Sequence, residues 1–181
     1  MTVPDFQHLV EEYYSPLYRF AVSLGKEEPD ACALTQQTFM IWAAEGHQLR
    51  DPSKIKTWLF TTLYREFLAA MRDEQQFGEV EEDTGVVDAP QMEASMANAL
   101  DGAIIQDALH RLHFRYRGPV SLFYLKQHSY REIAEILEIP IDTVLSRISR
   151  GKAELRKALS SPAPDEAKKH SADRKRGNRN E

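Results

Sequence analysis

Thr143, Ser146, Arg147 and Arg150 fall at helical spacing within "TVLSRISR". Short hydroxyls and guanidiniums on one side of a helix are equipped to bond base edges and phosphates in a DNA major groove. Val144, Ile148, Leu155 and Leu159 recur at the same period and are expected to face inward. Just upstream, Ser129 and Glu132 have the S-x-x-E spacing of a capping box, in which each side chain satisfies the other residue's backbone amide. Ile133, Ala134, Ile136 and Leu137 then give a short helix its buried side. Ile139-Pro140 ends that helix and starts the next, because proline fits the first turn of a helix and not its middle. Two short helices about a tight turn make a helix-turn-helix; the competing reading is a helical hairpin inside an ordinary core.

A second set of candidates lies in "SKIKTWLFTTLYREFLAAMRDEQQ", residues 53–76. Ile55, Leu59, Phe60, Leu63, Phe67, Ala70 and Met71 occupy one broad apolar side. Lys54, Thr57, Thr61, Tyr64, Arg65, Leu68 and Arg72 form a separate stripe, with Arg50 and Lys56 close by. Cations for phosphates, with a tyrosine that can stack on a base, suit single-stranded nucleic acid. A solvated helix face is the plain alternative.

The stretch 30–45, "DACALTQQTFMIWAAE", offers a third surface. Leu34, Thr38, Phe39, Ile41 and Trp42 cover its inward side. Ala33, Gln36, Gln37, Met40 and Ala44 share the other side, and none of them is charged. An uncharged outward stripe with a methionine fits docking against another protein, unless the helix is buried more deeply than its pattern implies.

These residues need a helical scaffold. Period-3.6 patterns predict helices at about 5–24, 30–45, 53–76, 103–113, 117–127, 130–137 and 141–159, with no convincing strand. The expected fold is all-α, with two small helical domains at 1–76 and 102–159. Residues 77–101 carry seven acids and no base, and read as an acidic flexible linker. The tail 160–181, rich in Pro and charge, is expected to be disordered and basic.

The net charge of −5 conceals a polarity along the chain. Residues 1–76 are net negative, whereas 102–159 hold 10 basic and 6 acidic side chains. A polyanion should prefer the latter. No apolar run approaches the ~18 residues of a membrane span. The start of the chain lacks a signal-peptide pattern, so no membrane insertion and a cytoplasmic location are expected. Cys32 is the single cysteine, which rules out an intrachain disulfide and fits a small core residue. His110 and His113 are three apart, without the further ligands of a metal set. No P-loop, GxGxxG, GxSxG or CxxC motif is present. No enzyme activity, cofactor or metal is therefore expected.

The run "HSYREIAEILEIPIDTVLSRISRGKAELRK" resembles region 4 of bacterial sigma factors of the extracytoplasmic-function (ECF) group. "SPLYRFAVSLGKEEPDACALTQQTFMIWAA" and "KTWLFTTLYREFLAAMRDE" resemble region 2 of the same group. The resemblance implies that Thr143, Ser146, Arg147 and Arg150 read the minus-thirty-five promoter element, with Arg131 near the DNA backbone. It implies that Gln36, Gln37 and Met40 face core RNA polymerase. Arg50, Lys54, Lys56, Thr57, Thr61, Tyr64 and Arg65 would serve the minus-ten element, the loop from Gly46 to Lys54 shaping a pocket for a captured base. The implied partners are core polymerase and promoter DNA, double- and single-stranded; an anti-sigma factor is admissible and unidentified.

Several positions depart from the pattern. Glu138 stands where a turn glycine is usual, and a Cβ in left-handed backbone costs roughly 1–2 kcal/mol. Asp142 and Leu145 replace more neutral or basic choices, so base preference does not transfer. Ala33 and Gln37 stand where acids are usual, and Ala69 where an aspartate is usual. Glu66 stands in place of an asparagine on the apolar side, where a buried carboxylate would need a partner. The reading that accounts for most residues is a sigma subunit that holds polymerase, recognises a promoter and promotes duplex melting. The alternative is a one-component helix-turn-helix regulator that does not require polymerase.

Overall fold

The computed structural model describes residues 5–25, 27–73, 103–125 and 128–160. The expected linker 77–101 and the tail beyond 160 lie outside the described residues. The described segments are helical: α1 (Phe6–Ser23), α2 (Glu28–Glu45), α3 (Ile55–Asp73), α4 (Ala103–Arg111), α5 (Phe114–Tyr124), α6 (Tyr130–Leu137) and α7 (Ile141–Ser160). Short 3₁₀ turns at Gly46–Gln48 and Pro52–Lys54 join α2 to α3.

The first three helices pack on one another around Leu9, Leu17, Phe20, Phe39, Trp42, Leu59, Phe60 and Leu63. On α2, Glu28 and Asp30 lie in the first turn with a proline between them, an arrangement that favours a helix start. Thr35 and Thr38 are buried, each hydroxyl donating to the carbonyl four residues back, Ala31 at 2.7 Å and Leu34 at 2.9 Å. Those bonds let threonines sit in an apolar core. Trp42 meets Trp58 edge-on at 5.1 Å, and Gly46 lies so close to the Trp42 ring that a Cβ would approach it to 2.6 Å.

The last four helices form the second unit. α5 and α7 cross closely at Gly151, where a Cβ would lie 2.4 Å from Val120. α5 begins at Phe114, with His113 Nδ1 accepting from the Arg115 amide, so the expected start at 117 is corrected. Pro119 sits inside the helix, and His113 caps its start. α6 begins with the capping box intact: the Glu132 amide donates to Ser129 Oγ at 3.2 Å, and the Ser129 amide to Glu132 Oε2 at 2.7 Å.

Other expectations shift as well. Leu159 is exposed rather than inward, because it lies past Leu155, the last fully buried side chain of α7. Cys32 is half-buried, its Sγ 3.5 Å from the Tyr14 hydroxyl. Glu66 is only partly buried, so solvent reaches the carboxylate for which a buried partner was expected.

The two units share one continuous apolar core. α3 packs against α6, and α1 against α4 and α5. Gly118 on α5 is the junction: a Cβ there would sit 3.3 Å from both Leu137 and Tyr64 and 3.8 Å from Leu24. Arg117 ties the corners together. Its guanidinium donates to the carbonyls of Leu112 (2.9 Å), Leu24 (3.4 Å) and His110. Gly25, at φ 95°, makes room for it, since a Cβ there would lie 2.3 Å from the guanidinium. Among the described residues, no helix is long and apolar enough to cross a membrane.

Candidate nucleic-acid interface

The stripe expected on α3 is present, and it faces the helix-turn-helix unit. Lys54 Nζ lies 2.8 Å from Glu135, and Lys56 Nζ 2.9 Å from Glu132. Arg65 meets the Glu138 carboxylate with both arms of its guanidinium, Nε at 3.1 Å from Oε2 and a terminal nitrogen on Oε1. Tyr64 is partly buried at the Gly118 junction and stacks on Phe67 at 6.1 Å, so burial raises its phenol pKa while nearby Arg147 pulls it down. Thr57 and Thr61 are partly exposed, and Arg50 is exposed beside the Asp51 turn. That turn is built by Asp51 Oδ1, which accepts from the Ser53 amide (3.0 Å) and hydroxyl (2.8 Å).

The glutamates that meet this stripe follow from α6. Glu132, Glu135 and Glu138 are spaced three apart, which places them in a row along one side of a helix. Burial alone would raise the Glu132 pKa; bonds from Ser129 and Lys56 outweigh it and hold the carboxyl at about 2. Glu138 caps α6 in left-handed backbone, φ 55° and ψ 42°, the single non-glycine with positive φ among the described residues. The strain anticipated from its side chain is therefore present. Its bond to Arg65 lowers its pKa and raises that of Arg65.

His128 closes the seam. It is 9% exposed, its ring meets Phe60 edge-on at 4.5 Å, and neither nitrogen has a hydrogen-bond partner. Burial first, then the charge of Lys56, pushes its pKa down to about 4, against the pull of Glu132. Nothing in the sequence singled out His128, Glu135 or Arg117, because their roles arise from packing between distant segments.

On α7, Thr143, Ser146, Arg147 and Arg150 do not share one solvent face. Arg150 is exposed and Thr143 partly so, but Ser146 is only 2% exposed and Arg147 is half-buried. At 100° per residue, Arg147 lies about 60° from the direction of Val144, close enough to be drawn to the seam. Its Nε is buried without a partner, and burial lowers its pKa despite the nearby Tyr64. Arg131 is exposed. On α2 the expected outward stripe is outward: Ala33, Gln36, Gln37 and Ala44 are exposed, and Met40 is 67% exposed. Of the histidines noted in the sequence, His110 reaches across to α1, its Nε2 3.1 Å from the Val22 carbonyl, while His113 acts locally and caps α5.

Comparison with known proteins adds an independent line. Residues 9–77 match the family described as Sigma-70 region 2, and residues 102–155 match Sigma-70, region 4. The chain belongs to the sigma-70 family. Its relatives put it in the ECF group. It is 31% identical to the ECF RNA polymerase sigma factor SigE of Mycolicibacterium smegmatis over 91% of this chain and 65% of that one. With SigM of Bacillus subtilis it shares 26% identity over 92% of this chain and all of the relative. The chain thus spans just under two thirds of SigE and the whole of SigM. Its fold is similar to the sigma factor RpoE of Bartonella quintana, solved with the anti-sigma factor NepR, with a TM-score of 0.68, 26% identity and coverage of 88% and 99% of the two chains. This ECF sigma factor is accordingly a regulatory subunit of the class that binds RNA polymerase and promoter DNA.

Proposed function

We propose that this sigma factor divides its work among three surfaces. Residues 1–76 carry two of them. Gln36, Gln37 and Met40 dock core polymerase; Arg50, Lys54, Lys56, Thr57, Thr61, Tyr64 and Arg65 hold the melted minus-ten strand. Residues 102–159 carry the third, where Thr143 and Arg150 read the minus-thirty-five element, Arg131 contacts its backbone, and Ser146 and Arg147 join them once their burial is relieved. The protein works in the cytoplasm, where polymerase and promoters are, and contributes no catalytic group of its own. An anti-sigma factor is a further partner, by similarity of fold to RpoE bound to NepR.

The observation that carries this reading is the outward face of α2. A methionine 67% exposed between exposed glutamines and alanines is a surface without charges, beside a helix bearing Lys56 and Arg65. Such a face fits a protein partner. A one-component regulator would have no use for a docking surface of this kind next to a second nucleic-acid stripe. The test is run-off transcription with sigma-free core polymerase and a candidate promoter. The chain should assemble with core and direct initiation; tight binding of duplex DNA with no binding to core would establish the regulator reading instead.

A further inference from the structure

We infer that the acidic row of α6 acts as an internal substitute for nucleic acid, holding the sigma factor closed by occupying the strand-binding stripe of α3. The inference rests on the proposed role of that stripe. Glu132, Glu135 and Glu138 present carboxylates at one-turn spacing, and each meets a cation of the stripe: Lys56 at 2.9 Å, Lys54 at 2.8 Å, and Arg65 with both arms. A row of anions along a helix offers those cations what a row of phosphates would offer. Tyr64, the residue equipped to stack on a base, is occupied too, against Gly118 and Phe67.

Two features set the polar edge of this contact apart from the apolar seam beneath it. The first is Glu138. Its backbone holds the left-handed conformation that glycine adopts without penalty, while its pair with Arg65 is exposed, 61% and 54% at the two side chains. Exposed pairs are weak and screened by salt, so the strain is not repaid by the bond. Strain retained at one residue is common where a segment must change state. The second is the polar inventory of the closed form. His128 has two buried nitrogens and Arg147 a buried Nε that lack partners. Buried polar atoms without partners destabilise the state that buries them. Arg147 is also a proposed DNA contact, so opening releases a group that DNA can then satisfy. The ion pairs at the rim are weak, and the seam beneath them buries unsatisfied polar groups beside its apolar contacts, so a polyanion that competes for the α3 cations shifts the balance toward opening.

The experiment uses the full chain and the double variant Glu135→Gln/Glu138→Gln, which leaves the capping box and every proposed DNA contact intact. Binding of a fluorescein-labelled oligothymidylate is followed by anisotropy, and the radius of gyration by small-angle X-ray scattering. If closed molecules outnumber open ones by about ten to one, the variant should bind about tenfold tighter. Its radius of gyration should rise while its helical circular dichroism stays that of the native chain. Arg65→Glu and Glu138→Arg should each open the molecule, and their combination should restore the compact scattering. An unchanged radius and unchanged affinity in the double variant, with binding still abolished by Tyr64→Ala, would overturn the switch and leave the α3 reading standing. Binding insensitive to Tyr64→Ala and Arg65→Gln would overturn both.

Discussion

Glu138 and Arg65, 73 positions apart in the chain, meet through a two-armed ion pair, and the glutamate does so from a left-handed backbone. The pair joins the turn of the helix-turn-helix to the helix that carries the proposed strand-binding stripe. An exposed pair of this kind contributes up to about 1 kcal/mol, while left-handed backbone costs a non-glycine residue about 1–2 kcal/mol. The turn is therefore less stable than it would be with glycine.

This balance predicts the order of two variants in urea denaturation. Glu138→Ala keeps the strain and loses the pair, and Glu138→Gly loses both. Glu138→Gly should be the more stable of these two by about 1 kcal/mol. A glycine variant less stable than the alanine variant would mean that the backbone conformation carries no penalty.

The capping box should be measurable on its own. Ser129→Ala removes the acceptor for the Glu132 amide and should destabilise the fold by about 1 kcal/mol. Glu132→Gln keeps an acceptor for the Ser129 amide but weakens the contact to Lys56, so its effect on stability should be smaller. Equal losses for the two would show that the contact to Lys56 matters as much as the cap.

His128 predicts a loss of stability in mild acid. Its pKa is depressed to about 4 in the fold and returns to its ordinary value of 6.5 when the chain unfolds. The unfolded chain thus binds a proton that the folded one refuses. The stabilisation is complete above 6.5 and is lost as pH falls from there through about 4, by about 1–3 kcal/mol in all. Glu132, held at about 2, adds a further loss only below its ordinary 4.5. Chemical denaturation at pH 7.5, 6 and 5 should show the decline above pH 5, and His128→Phe should flatten it (these pH values bracket the ordinary imidazole range). A slope that persists in the variant would assign the titration to another group.

Met40 separates docking from folding. A side chain 67% exposed contributes little to the core, so Met40→Asp should change stability by no more than about 0.5 kcal/mol. Run-off transcription with core polymerase should fall at least about tenfold, as expected for an uncompensated charge in an apolar contact. Oligothymidylate binding should stay as it is. Full transcription by this variant would remove α2 from the docking surface.

Much of the fold is legible in the order of residues because helices declare themselves locally. Ser129 and Glu132 form their capping box within one turn, whatever the rest of the chain does. The apolar side of α3 is written in the spacing of Ile55, Leu59, Leu63 and Phe67, and the uncharged side of α2 in Gln36, Gln37 and Met40. Even the strain at Glu138 is visible there, as a side chain where the turn favours glycine. The start of α5, three residues before the expected 117, has a local cause as well: His113 caps the helix by accepting from the Arg115 amide.

The meeting of α3 with α6 is a different kind of fact. In sequence Glu132 reads as half of a capping box and Glu138 as a side chain at a turn, and each cation of α3 reads as a contact for phosphate. Only the tertiary structure brings Lys54 to Glu135, Lys56 to Glu132 and Arg65 to Glu138, and draws Arg147 toward Tyr64. Local periodicity and capping determined which helices form and which side of each is apolar, since those depend on neighbours a few residues away. Which polar faces are left for DNA and which cover one another was decided by packing between helices, because electrostatic pairing at a surface depends on distances that the order of residues does not contain.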